Sequence, residues 1–308
     1  MQEWNKKHIL GIKELSRQEI ETIFSLSGSF KEISEREVKK VPALRGKTII
    51  NLFFENSTRT RTSFELAAKR LSADVVNFSS SASSLKKGET VVDTIKNLEA
   101  YHPDIMIIRI AQSASLSTLS KYTQASIVNA GDGSNEHPTQ ALLDMFTVFQ
   151  EKGSLDGLNV LIVGDILHSR VGRSNIFGFK KFSCQVGVCG PPTLIPYQFQ
   201  EMGVSVSYDF DSALEKADVI MMLRIQRERQ MSSFFPTVRE YVDNFSLTKK
   251  RAGRLKENCL IMHPGPINWD VEISSSLKEK VHPLILRQAE NGLAVRMAVL
   301  YLVGNKKA

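Results

Sequence analysis

Short apolar runs recur along this chain, most ending in glycine, a hydroxyl or an arginine before a helical pattern begins. In the N-terminal part the runs are Thr48–Phe54, Asp74–Phe78, Asp104–Arg109 and Ser126–Ala130. Val160–Asp165, Gln185–Cys189, Val204–Tyr208, Asp218–Leu223 and Leu260–Met262 continue the series. Runs this short and this rich in Val and Ile read as buried strands, and the amphipathic stretches between them as crossover helices. Such alternation predicts an α/β fold with parallel sheets and helices on both faces. A chain of 308 residues can bury two such cores. The pattern restarts after Gly153, so the expected architecture is two doubly wound parallel-sheet domains linked by helices. The first would cover 1–133, completed by a returning C-terminal helix at 286–308, and the second would cover 134–285. Residues 8–40 are expected to be helical, with Ser16 as a cap, and Leu284–Leu302 forms the last helix. A helix from Pro138 is expected to bury Leu142, Met145, Phe146 and Phe149.

The stretch Phe53–Leu71, FFENSTRTRTSFELAAKRL, carries the strongest chemical signal. A strand ends at its start, and Phe64, Ala67, Ala68 and Leu71 form one helical stripe at its end. Between them Ser57, Thr58, Arg59, Thr60 and Arg61 crowd hydroxyls and guanidinium groups around a helix N-terminus. Free backbone N–H groups and the helix dipole favour an anion there, and an arginine fork suits phosphate oxygens. An ordinary N-cap with solvated arginines fits the same residues. Arg59, Arg109, Arg170 and Arg224 each lie at or just past a strand end, where open α/β sheets bind ligands. Together they suggest a cleft for anionic ligands. His137, just before a helix, could cap it, sit in a core or donate to a carbonyl oxygen.

Composition narrows the classes. With 42% hydrophobic and 24% charged residues the chain is an ordinary globular protein. Its net charge of +7 fits an enzyme of anionic substrates or a nucleic-acid binder. No zinc-finger spacing or stacking-aromatic string supports nucleic acid, and the densest basic cluster, Lys249–Lys256, reads as a solvated face. Cys184, Cys189 and Cys259 read as reduced core thiols. No second ligand stands at metal spacing from His137, so no metal is expected. Gly131-Asp132-Gly133 lacks the third glycine of a dinucleotide fingerprint, and no cofactor is expected. Neither a signal peptide nor a membrane-spanning run is visible, so a cytoplasmic protein without membrane or nucleic-acid partners is expected.

The Phe53–Leu71 string resembles the carbamoyl-phosphate signature of the aspartate/ornithine transcarbamoylases. The resemblance extends to KKGET at 86–90, EHPTQALLD at 136–144, GDILHSR at 164–170, LRIQRER at 223–229 and MHPGP at 262–266. The R-x-Q-x-E-R string belongs to the aspartate branch. The ornithine branch typically carries a cysteine in H-C-L-P, where this chain has His263-Pro264-Gly265-Pro266. The resemblance implies transfer of a carbamoyl group from carbamoyl phosphate to L-aspartate, a step of pyrimidine biosynthesis. It implies that Ser57, Thr58, Arg59 and Thr60 bind phosphate, and that Thr60, Arg109 and His137 contact the carbamoyl oxygen. Gln140 would hold the carbamoyl amine, and Ser83 and Lys87 would reach a neighbouring subunit's site in a homotrimer. Arg170, Arg224 and Gln226 would grip the aspartate carboxylates, with the Pro264-Gly265 backbone orienting its amine. Regulatory or dihydroorotase partner subunits are compatible with it. Closure of the polar 79–89 loop and of Phe234–Arg254 is a further expectation. Trp269 departs from the family pattern, where an arginine is frequent after the H-P-G-P loop.

Overall fold

The computed structural model describes residues 4–79, 89–225 and 237–306. The chain divides into two compact units, Met1–Leu143 with Glu290–Ala308, and Asp144–Ala289. The divisions fall inside two helices, so each of those helices contributes to both units.

In the first unit the elements run α1 (Arg17–Glu35), β1 (Thr48–Phe53), α2 (Thr58–Arg70), β2 (Asp74–Ser79), α3 (Val91–Glu99), β3 (Ile105–Ile110), α4 (Leu116–Leu119) and β4 (Ser126–Asp132). The first part of α5 (Pro138–Lys152) completes this stretch. The four strands form one parallel sheet in the order β2-β1-β3-β4. The sheet therefore changes winding direction between β1 and β3. Ile50, Leu52, Met106, Ile108 and Ile127 are buried on one side of it with Ile95 of α3 and Leu116 of α4.

Helix α1 starts later than the hydrophobic pattern suggests. Ser16 and Glu19 form a reciprocal capping box, Glu19 N–H donating to Ser16 Oγ and Ser16 N–H to the Glu19 carboxylate. Residues 8–16 are not helical: Ile9 pairs with the sheet beside Val128, and the Ile12 and Lys13 N–H groups go to the Glu136 carboxylate. Ile9 N–H donates to the Ile127 carbonyl at 2.8 Å and Asn129 N–H to the Ile9 carbonyl at 2.9 Å. His8 Nδ1 accepts the Ile127 N–H at 3.0 Å. Residues 36–40 lie beyond α1 as well.

In the second unit come the rest of α5, then β5 (Asn159–Val163), α6 (Arg170–Lys180), β6 (Gln185–Cys189), β7 (Ser205–Ser207), α7 (Phe210–Ala213) and β8 (Val219–Met222). After them come α8 (Val238–Phe245), α9 (Lys249–Ala252), β9 (Leu260–Met262) and α10 (Lys278–Gly304). Five parallel strands order as β7-β6-β5-β8-β9, and winding reverses between β5 and β8. Helix α10 begins at Lys278, several residues earlier than expected, and carries Pro283 near its start. Phe149 of α5 is 40% exposed and does not join the buried stripe. The basic Lys249–Lys256 cluster is not a bare solvated face. Buried Arg251 donates to Asp211 and to the Ser246 and Asp243 carbonyls, Arg254 pairs with Asp211 and Glu215, and Lys256 with Asp218. These cations are matched by acids, which leaves a poor footprint for a phosphate backbone. Among the described residues no helix is long and apolar enough to cross a membrane.

Burial, with Lys7 and Lys306 adding positive charge, pushes the His8 imidazole down to about 4. The folded chain thus resists a proton that the unfolded chain takes up near 6.5. Stability from this group is lost as pH falls from the ordinary histidine range toward 4, because the unfolded state then binds more protons. The urea midpoint is expected to drop between about pH 7 and pH 5, and His8→Gln should flatten that part of the profile.

Candidate functional site

In the first unit the expected anion-binding residues gather at the carboxyl ends of the strands flanking the winding reversal. Phe53 of β1 lies in register with Arg109 of β3, and Phe54 N–H donates to the Arg109 carbonyl at 2.8 Å. Helix α2 opens a few residues later with Ser57 as its N-cap. Ser57 makes no side-chain cap bond, whereas Ser16, Thr90, Ser169 and Thr237 all cap the helices they precede. The first turn of α2 holds no acid and is lined by Arg59 and Arg61. A helix start that is positive and uses no hydroxyl for itself is suited to an external anion. Thr58 and Arg59 are exposed, Ser57 and Thr60 half-buried.

Arg109 is held from two sides. Its Nη1 donates to the Ala130 carbonyl of β4 at 3.3 Å, and its Nε lies 3.3 Å from Glu55 Oε2. Glu55 sits inside the quoted string, but its role as an anchor required the β1–β3 register to become visible.

His137 is buried, and its carbonyl accepts Gln140 N–H at 3.0 Å and Ala141 N–H at 3.2 Å, so its backbone starts α5. Pro138 fits the first helical position. The turn before His137 is built on three buried polar side chains, Asn129, Asp132 and Glu136. Asn129 Nδ2 donates to Asp132 Oδ1 at 2.8 Å, and Asp132 accepts from Ala114 N–H, Asn135 Nδ2 and Glu136 N–H. Glu136 in turn accepts Ile12 N–H at 2.7 Å and Lys13 N–H at 3.3 Å. Gly11 is needed beside it, since a Cβ there would stand 2.2 Å from Glu136 Oε1. The N-terminal segment thus fixes the turn that presents His137 and Gln140.

In the second unit Arg170, Arg224 and the Pro264-Gly265 turn follow β5, β8 and β9, which are neighbours in the sheet. Arg170 is the buried first residue of α6, whose N-cap Ser169 accepts Gly172 N–H at 3.0 Å. Asp165 in the same loop is buried, and its oxygens lie 3.0 Å from His168 Nδ1. Arg224 is half-buried just beyond β8. Gly265 has φ +64, and its N–H donates to His263 Nδ1 at 2.8 Å. Ser83, Lys87 and Gln226 lie outside the described residues, as do the 80–88 loop and Phe234.

The three thiols offer no nucleophile. Burial pushes Cys184 and Cys259 up to about 11 and Cys189 up to about 12, far from the thiolate range near neutrality. Among the described residues no group of three or more His, Cys, Asp or Glu could hold a metal ion. The described site residues include cations, hydroxyls and a buried imidazole, groups that can bind anions and stabilise charge developing on oxygen.

Comparison with known proteins identifies the family and the fold. Residues 7–150 match the model of the aspartate/ornithine carbamoyltransferase carbamoyl-P binding domain, and residues 156–303 that of the Asp/Orn binding domain. An aspartate carbamoyltransferase catalytic subunit from Syntrophus aciditrophicus (strain SB) is 55% identical over 300 residues, 97% of this chain and 98% of that one. The crystal structure of Trypanosoma cruzi aspartate transcarbamoylase with carbamoyl phosphate and aspartate is 31% identical with a TM-score of 0.87, covering 97% of both chains. The same enzyme with N-(phosphonacetyl)-L-aspartic acid gives a TM-score of 0.88 at 31% identity, covering 97% of this chain and 96% of that one.

The loop that carries Arg170 leaves β5 through Gly164, whose backbone is packed tightly against Gly190. A Cβ on Gly190 would stand 2.5 Å from the Gly164 carbonyl oxygen, so the loop must shift to admit it. Gly190→Ala is expected to cost about 1–3 kcal/mol by overpacking. Gly28→Ala, in open space on α1, should instead be neutral or gain about 0.5–1 kcal/mol. Urea melts of the two variants against the parent check both signs.

Proposed function

The chain belongs to the aspartate/ornithine carbamoyltransferase family, and we propose that it transfers the carbamoyl group of carbamoyl phosphate to the amine of L-aspartate. The products are N-carbamoyl-L-aspartate and phosphate, a step of pyrimidine biosynthesis, and a cytoplasmic location is part of the same reading. The observation that carries this reading is the pair of winding reversals. One is flanked by Ser57–Thr60 and Arg109, the other by Arg170 and Arg224, as a doubly anionic donor and a dicarboxylate acceptor would require. The 55% identity to a curated catalytic subunit supports the choice of acceptor.

In this reading the first unit is the carbamoyl-phosphate domain and the second the aspartate domain. Ser57, Thr58, Arg59 and Thr60 bind the phosphate through hydroxyls, the α2 N-terminus and a guanidinium fork. Thr60, Arg109 and His137 donate to the carbamoyl oxygen, and Gln140 holds the carbamoyl nitrogen. Arg170, Arg224 and Gln226 grip the two carboxylates of aspartate, and the Pro264-Gly265 backbone orients its amine. Ser83 and Lys87 are supplied by a neighbouring subunit, which requires an oligomer, and the family resemblance makes that oligomer a homotrimer.

The amine attacks the carbamoyl carbon and charge collects on its oxygen. Arg109 is fixed by Glu55 and the Ala130 carbonyl, so it meets that charge with little reorganisation. Collapse of the tetrahedral intermediate breaks the bond to phosphate, whose growing charge Arg59 and Lys87 stabilise. The departing phosphate takes the amine proton, and His137 serves as a neutral donor rather than a base. Cationic side chains also offset the repulsion between two anions brought into contact.

Phosphate release from carbamoyl phosphate, measured with L-aspartate and L-ornithine side by side, tests the reading. Release that requires aspartate is the expected result, and release with ornithine alone overturns the acceptor. In the same assay His137→Ala should lower kcat by about 100-fold to 1,000-fold, the scale of one lost oxyanion donor, with a smaller effect on carbamoyl phosphate binding. An unchanged kcat would remove His137 from this role.

A further inference from the structure

Glu272 is fully buried, yet it lies outside every motif that the family resemblance uses. Its carboxylate collects donors from two separate segments of the second unit. Oε1 accepts Ile225 N–H at 2.9 Å and Asn268 Nδ2 at 2.7 Å, and Oε2 accepts Asn268 N–H at 2.6 Å. The Asn268 amide also donates to the Ile225 carbonyl at 3.2 Å, so both polar groups of the Ile225 backbone are held. Ile225 is the residue immediately after Arg224. On its other side Glu272 Oε2 lies 3.6 Å from His263 Nε2, and His263 Nδ1 accepts Gly265 N–H. One carboxylate therefore ties the exit of β8 to the turn after β9.

We propose that Glu272 is a positioning residue for the acceptor: it fixes the backbone beside Arg224 against the His263–Asn268 turn. This rests on the reading that Arg224 and Pro264-Gly265 receive aspartate. Backbone clamping is effective here because a buried carboxylate with three N–H donors cannot let one go without leaving a buried polar group unpaired. Motion of the β8 exit relative to the turn thus costs hydrogen bonds in a region shielded from water. A guanidinium held on such a frame meets a carboxylate with less ordering still to be done.

Steady-state kinetics of the parent, Glu272→Gln and Asn268→Ala, with each substrate varied in turn, provide the test. Glutamine keeps the size of the side chain but points an NH2 group at one of the N–H donors. Its aspartate KM is expected to rise about tenfold or more, with the carbamoyl phosphate KM within about twofold of the parent, the effect of losing a hydrogen bond to a charged group. Asn268→Ala removes the amide's bonds to the Ile225 carbonyl and to Glu272 Oε1 from a half-buried turn and should show the same split at a few-fold. If Glu272→Gln does not fold, Asn268→Ala decides. A residue needed only for folding would lower the active fraction and leave both KM values in place. Aspartate KM unchanged in folded Asn268→Ala, or both KM values rising together, overturns the proposal. A parent that releases no phosphate with aspartate overturns the functional reading itself, so the two failures are distinguishable.

Discussion

Parallel strand pairing is the constraint on which everything else depends. A parallel sheet needs a crossover after every strand, and each crossover returns the chain to the same edge. All carboxyl ends therefore lie together, along with the N-termini of the helices that follow. When winding reverses, as between β1 and β3 or between β5 and β8, neighbouring crossovers leave in opposite directions and a crevice opens at that edge. Residues distant in sequence become neighbours there without any contact of their own. Arg109 stands beside the end of β1 because Phe53 and Arg109 are in register, and for no local reason. The chemistry of each unit is a consequence of strand order before it is a consequence of side chains.

That dependence explains what could be read from the sequence. Strands were legible because a strand buried on both faces is an uninterrupted apolar run, and β5, β6 and β9 fall where the runs do. The Ser57–Arg61 helix start was legible because its signal is local, a set of side chains around one helix turn. Extent was harder. Residues 8–16 have a helix-compatible pattern, but the Ile9 backbone bonds Ile127 and Asn129 while the Ile12 and Lys13 N–H groups go to Glu136, and only tertiary pairing reveals that. Charge pairing was equally hidden. The basic 249–256 cluster looks solvated in sequence, yet its partners Asp211, Glu215 and Asp218 come from a segment some forty residues earlier. Phe149 shows the opposite limit, since periodicity identifies a helical face without saying how far the core extends along it.

The residues that hold the site in shape were the least legible. Glu55, Glu136 and Glu272 each look like an ordinary surface carboxylate in sequence. Their partners include backbone N–H groups or an arginine in distant segments, and a backbone donor leaves no mark on residue type. Glu136 binds Ile12 and Lys13 across more than a hundred residues, and Glu272 binds Ile225 across forty-seven. Motif reading finds residues that would touch substrate because those are chemically distinctive. It passes over the supports, whose distinctiveness is their surroundings.

Each unit has arrived at the same solution. A loop bearing polar side chains at the carboxyl edge of a sheet cannot be fixed by apolar packing alone, because it must keep one side open to solvent and ligand. A buried carboxylate reaching in from behind meets that requirement. It accepts several N–H groups at once and satisfies backbone that the sheet leaves unpaired. In the first unit Glu136 fastens the turn before His137 to the N-terminal segment, and in the second Glu272 fastens the residue after Arg224 to the His263–Asn268 turn. In both units the carboxylate lies beneath the loop it fastens, and what it fastens is backbone, so its effect on the neighbouring side chains is carried by the geometry of the turn.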